Sequence, residues 1–198
     1  NAFIDLQYEA QEGLQAALQR ICREAEAAVR DGIVVLLISD RYLVRDKLPI
    51  HALLATGAIH HHLVKQGLRC KCNLLIETGT ARDPHHFACL IGYGATAVYP
   101  YMAYQTLYDM TMRSKGKANT EADHRTEIGR SYRKAIRKGL MKIISKMGIS
   151  TIASYRSSGL FEIVGLADEI VHLCFHGTTS RIAGANFEFV KRPGHHTR

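Results

Sequence analysis

Residues 72–101 read CNLLIETGTARDPHHFACLIGYGATAVYPY. Two apolar runs, CNLLIE (72–77) and ATAVYPY (95–101), flank a segment that opens on Asp83-Pro84. An aspartate can accept hydrogen bonds from the free amides of a first helical turn, and a proline loses nothing at the first helical position. The reading is therefore strand, capped helix, strand, with Pro100 ending the second strand. CNLLIE shows no alternation of apolar and polar residues, which fits a strand of a parallel sheet covered on both faces. Upstream, IVVLLIS (33–39) has the same character and is followed by the polar turn SDR. LPIHALLATGAIHHHLVKQG (48–67) then reads as a helix with Pro49 near its start and Gly67 at its end. Strands alternating with helices imply parallel pairing through right-handed crossovers. The expected fold class is α/β with a mainly parallel sheet, either an open layer or part of a barrel.

The flanks are read in the same way. Glu9–Asp31 is expected to be an amphipathic helix, with Leu14, Leu18, Ile21 and Ala25 at helical spacing and Gly32 at its end. Residues 110–123 are polar, contain Gly116 and Asn119, and read as a loop. A long basic helix runs from there to Met147, and Gly148 breaks it. ISTIAS (149–154) reads as a fourth strand, and SGLFEIVGL and DEIVHLCFHG as two short helices. This divides the chain into a βαβ core (1–109), a loop (110–123) and a part made of the basic helix, a strand and short helices (124–198).

The 198 residues carry a formal charge of +8. Residues 113–146 hold eleven Lys or Arg against three acids, so this one stretch carries the whole excess. Arg130, Lys134, Lys138, Lys142 and Lys146 step by four and form a stripe, widened by Arg133 and Arg137. Such a stripe could follow a phosphate backbone. The same helix has an apolar side of Ile136, Leu140, Ile143 and Ile144, and only Tyr132 offers an aromatic ring, so protein docking is expected rather than nucleic acid. No apolar run reaches the ~20 residues of a membrane span and no signal-peptide layout opens the chain, so no membrane partner is expected. Five irregularly placed cysteines argue against a disulfide framework and for a cytoplasmic setting. Asn1 at one end and RPGHHTR at the other suggest a segment of something longer.

In a parallel sheet a site belongs at the carboxyl ends of the strands. Those ends carry Asp40 and Arg41, Glu77 and Thr78, Tyr101, and Tyr155. Glu77 beside Thr78 and Gly79 could accept a proton or orient a ligand, or else cap the next turn or pair with Arg82. Gly79, Gly92 and Gly94 match no phosphate-binding fingerprint, and an aspartate at position 83 competes with any anion for the helix start. His60, His61 and His62 point in different directions on one helix, as do His85 and His86. His172 and His176 are the one pair at i, i+4, with no third ligand evident, and Cys70 and Cys72 lack a second pair. No metal is expected.

The segments LPIHALLATGAIHHHLVKQGLR, IETG, HHFACLIGYGATAVYPYMAYQTL, YRKAIRKGLMKIISKMGISTIASYRSSGLFEIVGL and SRIAG resemble, taken together, the central region of the glutamate synthase large chain. The resemblance runs from Ile33 to Gly184 and is densest over KGLMKIISKMGISTIASY. It implies a multidomain enzyme in which an amidotransferase domain releases ammonia from glutamine. An FMN- and [3Fe–4S]-bearing barrel domain then makes glutamate from 2-oxoglutarate, with NADPH or ferredoxin as electron donor. The central domain, distantly barrel-like, would join the two and help wall the ammonia channel. The partners implied are those two domains and the small (beta) subunit. No catalytic residue carries over: the family's nucleophile is an N-terminal cysteine where this chain has Asn1, and its cluster needs a cysteine triad that the five cysteines do not form. No cofactor is expected in this segment, and His85 and His86 are expected at a domain boundary. Two rival readings are a self-contained β/α enzyme piece binding a phosphorylated ligand, and a basic nucleic-acid-binding module.

Overall fold

The computed structural model describes residues 1–114 and 121–190. Its main sheet has four strands, β1 (Ala2–Asp5), β3 (Val35–Ser39), β5 (Asn73–Glu77) and β6 (Ala97–Tyr99), in that order and parallel throughout. The register aligns Asp5, Ser39, Glu77 and Tyr99 in one row at the carboxyl edge. A short antiparallel pair, β2 (Gln7–Glu9) with β4 (Lys47–Pro49), lies after that edge. The crossovers are α1 (Leu14–Arg30), α2 (Ala52–Lys65) and α3 (Pro84–Gly92). The chain continues through α4 (Tyr101–Ser114), α5 (Glu121–Lys146) and α6 (Ile152–Tyr155). It then forms β7 (Glu162–Leu166), α7 (Asp168–Cys174), β8 (Thr179–Ala185) and α8 (Phe187–Val190), with β7 and β8 pairing parallel as a separate two-stranded sheet.

Alternation along the strands decides what is covered. Ile4, Leu36, Ile38, Leu74 and Ile76 are fully buried and join Leu18, Ile21, Ile59 and Leu63 in one core. The intervening residues form a barer face: Phe3 is 49% and Tyr99 47% exposed, and Val35, Leu37 and Leu75 are half-buried. The expectation of strands buried on both faces therefore holds for one face only. An uninterrupted apolar run permits two-sided burial, but only a second covering layer supplies it.

Several expected boundaries move. The first helix begins at Leu14, not Glu9, because Gln7–Glu9 pairs with Lys47–Pro49. Pro49 accordingly lies in a strand, where Ile50 N–H donates to Leu6 O (2.7 Å), and His51 becomes the cap of α2 by accepting from Leu53 N–H. ISTIAS is not a strand: Thr151 Oγ1 accepts from Ser154 N–H (3.3 Å) and starts the short helix α6. FEIVGL is strand β7 rather than helix, and DEIVHLC is helix α7 as expected. The expected loop at 110–123 shrinks, since 110–114 belong to α4 and 121–123 to α5; residues 115–120 lie outside the described residues.

Asp83-Pro84 does begin a helix. Asp83 Oδ1 accepts from the amides of His85 (2.9 Å) and His86 (3.2 Å). α5 crosses at this point: a Cβ on Gly139 would come within 2.3 Å of Pro84 Cγ, so only glycine permits the approach. Tyr132 OH donates to Arg82 O (2.8 Å), and Ile136, Leu140 and Ile144 of α5 enter the core.

A second tie joins the later part of the chain to α2. Arg69 Nε–H donates to His60 Nδ1 (3.0 Å), which leaves the imidazole proton on Nε2, 3.1 Å from Ser157 Oγ. Arg69 also donates to the carbonyls of Cys72 and Gly94, each at 2.7 Å. Burial, then the Arg69 guanidinium and His61, pushes His60 from 6.5 down to about 4.

Two outcomes are expected. Asp83→Ala should lower stability by about 0.5–2 kcal/mol in denaturant titration. His60 stays neutral in the folded chain above about pH 4, whereas the unfolded chain protonates it below 6.5. Its contribution should thus be complete above pH 6.5 and decline by up to about 3 kcal/mol as the pH falls towards 4. His60→Gln, which cannot titrate, should flatten that decline in unfolding curves measured between pH 4 and 7.

Candidate functional site

The carboxyl edge of the sheet brings five of the expected residues together. Asp40 follows β3 and Thr78 follows β5, and each chain turns sharply there. Asp40 Oδ2 accepts from Thr78 Oγ1–H (2.5 Å) and its Oδ1 from Gly79 N–H (2.9 Å). Glu77 reciprocates: its Oε2 accepts from Ser39 Oγ–H (2.6 Å) and its Oε1 from Arg41 (3.0 Å). Ser39 Oγ then accepts from Arg41 N–H (3.1 Å). Tyr101, the first residue of α4, closes the group. Its hydroxyl donates to Asp40 O (3.4 Å), its ring lies 5.7 Å from the Arg41 guanidinium, and it sits over Gly79, where an added Cβ would be 3.0 Å from the hydroxyl oxygen. Burial and the neighbouring Asp40 push the Tyr101 phenol up to about 12, so it remains a donor at neutral pH.

Glu77 therefore pairs with Arg41, not with Arg82. The Asp40 and Glu77 side chains are both nearly buried, at 5% and 7% exposure, with their oxygens taken by the chain's own donors. Buried carboxylates held in this way stabilise turns, because each bond to a charged acceptor outweighs an ordinary one. The contact of Glu77 with Arg41 also holds the guanidinium further above its ordinary range.

The other three expected residues lie apart from this network. His85 and His86 are on the first turn of α3; His86 Nδ1 accepts from Arg82 N–H (3.2 Å) and lies 3.6 Å from Asp83 Oδ2. Tyr155 is buried in α6, edge-on to Phe161 at 6.2 Å, because the strand expected to end there is a helix. Ser39, Gln7 and Tyr99 escape a reading from sequence. Gln7 is the least foreseeable. Its amide bridges Asp5 and the backbone of Tyr42 and Val44, which fixes the 40–46 loop from a strand thirty-five residues earlier.

At two turns whose free amides could hold a phosphate, carboxylates take them instead: Asp40 takes the Gly79 amide, and Asp83 takes the amides at the start of α3. Among the described residues no three His, Cys, Asp or Glu side chains gather to hold a metal ion. Cys22, Cys72 and Cys174 are buried free thiols, and burial raises each of them. These residues do not fit a flavin phosphate cradle or an iron–sulfur cluster.

The architecture is thus a one-sided parallel α/β layer whose strand ends are tied to each other. This chain belongs to the glutamate synthase central domain family, whose model matches residues 1–167. It is 42% identical over 196 residues to the glutamate synthase (NADH) of Saccharomyces cerevisiae, covering 96% of this chain and 9% of that protein. It is 44% identical over 174 residues to the ferredoxin-dependent glutamate synthase of Pyropia yezoensis, covering 84% and 11%. It is 39% identical over 179 residues to the glutamate synthase (NADPH) large chain of Bacillus subtilis, covering 90% and 11%. The chain spans about a tenth of the length of these relatives. In fold it is similar to a flavocytochrome b2 mutant solved with benzoylformate, with a TM-score of 0.51 and 13% identity over 80% of this chain and 39% of that one.

Glu77→Gln should keep the shape but remove the charge that Ser39 and Arg41 both serve, lowering stability by about 2–3 kcal/mol. Arg82→Ala should cost under about 0.5 kcal/mol, the usual limit for a surface substitution of this kind. Chemical denaturation of both variants at pH 7 checks the contrast.

Proposed function

We propose that this chain is the central, connecting domain of a glutamate synthase, an oxidoreductase that makes glutamate from glutamine and 2-oxoglutarate. In that reading all of residues 1–198 serve to join an amidotransferase domain to an FMN- and [3Fe–4S]-bearing domain, and to wall the path of ammonia between them. The observation that carries it is the family match over residues 1–167 together with strand-end carboxylates already bound by the chain's own donors. A channel wall needs a rigid, chemically quiet edge. Ammonia that escaped into water would be protonated and lost to the reaction.

The surface supports the same reading. Tyr42, Leu43 and Val44 on the 40–46 loop are more than half exposed, Phe3, Tyr99 and Met102 are about half exposed, and the Phe3 and Tyr42 rings lie 6.4 Å apart. Exposed apolar side chains of this kind favour docking, and the amidotransferase and FMN domains are the partners we assign. Arg41, Tyr101, His85 and His86 would lie at or near such a boundary. The relatives' names carry NADH, ferredoxin and NADPH as donors, so the electron donor of this parent is left among them, and a small (beta) subunit is a further partner of the NADPH type. The setting is cytoplasmic on this reading; among the described residues no helix is long and apolar enough to cross a membrane.

The basic stripe fits docking better than nucleic acid. Arg130, Lys134, Lys138, Lys142 and Lys146 all face solvent, while Ile136, Leu140 and Ile144 are buried on the opposite side of the same helix. The test is reversal of Lys134, Lys138 and Lys142 to glutamate. The isolated chain should keep its denaturation midpoint, and the full-length protein should lose assembly or lose coupling between glutamine consumed and glutamate made. Sub-micromolar, sequence-dependent nucleic-acid binding at physiological salt, lost in that variant, would overturn the reading, because non-specific binding lies at ~10⁻⁴–10⁻⁶ M.

A further inference from the structure

A cleft of about 600 Å³ lies where α1, α2 and α7 meet. Arg23 of α1 and Lys65 of α2 line it, together with four imidazoles, His61, His62, His172 and His176. Cys22, Ala58, Val64 and Leu173 give it apolar walls. Burial pushes the Cys22 thiol up to about 12, so it packs as a small apolar group at neutral pH. The meeting of the helices is fixed close by: a Cβ on Gly57 would strike the carbonyl of Cys174, so only glycine lets α2 and α7 approach this closely.

None of the described residues that line the cleft is an acid. The acids of the surrounding helices are engaged or stand outside it. Glu24 pairs with Arg20 (3.1 Å), Glu26 with Arg30 (2.7 Å) and His62 (2.7 Å), and Glu169 accepts from Phe187 N–H (3.3 Å). Asp168 is exposed at the head of α7, outside the lining. Arg23 and Lys65 have no ion-pair partner among the described residues, so the cleft offers two positive charges and no negative one. His61 adds an unmet hydrogen bond. Its Nε2 is shielded from water and has no partner among the described residues. Burial, then the His176 ring 6.2 Å away, pushes this imidazole below its ordinary 6.5, so it is neutral at pH 7. A shielded ring nitrogen without a partner costs free energy, and such atoms are few in folded proteins.

We propose that this cleft binds a small organic anion, its carboxylate or phosphate head held by Arg23, Lys65 and the imidazoles and its apolar body lying against Ala58, Val64 and Leu173. The volume falls within the roughly 300–1,000 Å³ of small-molecule sites, and apolar walls with a few convergent polar groups are their usual make-up. The Arg23 fork suits two oxygens of one head group, and Lys65 adds a point charge. An anion oxygen also offers His61 Nε2 the partner it lacks. This goes beyond the connecting role and does not rest on it: the cleft is built from helices and shares no residue with the strand-end network.

The chain has no tryptophan, so naphthalene emission can be followed without interference from the protein. Three probes are titrated against the whole chain, at low and at physiological salt, by emission and calorimetry: 2-naphthoate, 2-naphthyl phosphate and the uncharged 2-naphthalenemethanol. Saturable one-to-one binding of at least one anion is expected, about tenfold or more tighter than the alcohol and weakening as salt rises. A preference for the naphthoate assigns carboxylates as the ligand class, and a preference for the phosphate assigns phosphate esters. Arg23→Gln should weaken binding about tenfold or more with an unchanged unfolding midpoint, and Arg23→Lys, which keeps the charge but not the fork, should fall between. Lys47→Gln, on β4 and outside the cleft, should bind as the parent does. The proposal is overturned by any of four results: no saturation by either anion at millimolar concentration, equal affinity for the alcohol, no loss in Arg23→Gln, or an equal loss in Lys47→Gln.

Discussion

Asp40 and Glu77 stand at the ends of adjacent parallel strands, and each carboxylate is spent on donors from the other strand's exit. Asp40 takes the hydroxyl of Thr78 and the amide of Gly79; Glu77 takes the hydroxyl of Ser39 and the guanidinium of Arg41. The backbone ladder runs one residue past each strand, through Asp40 N–H to Glu77 O and Thr78 N–H to Tyr99 O. Beyond it, Asp40 serves the Gly79 amide, and Ser39, held by Glu77, serves the amide of Arg41. The crossed pair of acids also fixes the register that sets Ser39 opposite Glu77, from which the buried row of Ile4, Ile38 and Ile76 follows one residue earlier.

Other features are built outward from that edge. Tyr101 can start α4 where it does because Gly79 leaves room under its hydroxyl and Asp40 O receives it. α4 in turn sets the wall against which α5 lies, and α5 reaches back to the start of α3 through Gly139 on Pro84 and Tyr132 on Arg82. The stretch 72–101 thus serves as strand, capped turn and packed helix of a scaffold. Its acids hold backbone and hydroxyl groups, and the histidines beside Asp83 lie at the surface end of the helix it caps.

The sequence was most legible where local chemistry and burial agree. Asp83-Pro84 is a cap in the structure because the signal is complete within four residues. The two apolar runs are strands, and the strand-end rule drew attention to Asp40, Arg41, Glu77, Thr78 and Tyr101. It failed where the answer lies in distant pairing. Pro49 reads as a helix start, but Gln7–Glu9 claims its segment as a strand. ISTIAS has β-branched residues enough for a strand, yet Thr151 caps a short helix and carries Tyr155 into the core, away from the other candidates. FEIVGL becomes a strand because Thr179–Ala185 is there to pair with it, which no local pattern announces. Gln7 could not be singled out at all, since its role is to hold a loop that follows another strand. The polar character of residues 110–123 was real, but polar residues also cover helix ends, and α4 and α5 extend into it from both sides.

The central claim, that the strand-end acids hold the sheet together by serving each other's turns, is tested most directly by a double-mutant cycle on Asp40→Ala and Thr78→Val, with unfolding free energies measured at pH 7. Residues in one hydrogen-bonded network typically show coupling of about 0.5–3 kcal/mol. The account requires a coupling of at least about 1 kcal/mol, with both single variants destabilised. Additive effects within about 0.5 kcal/mol, in variants that stay folded, would contradict it and leave those acids available for another purpose.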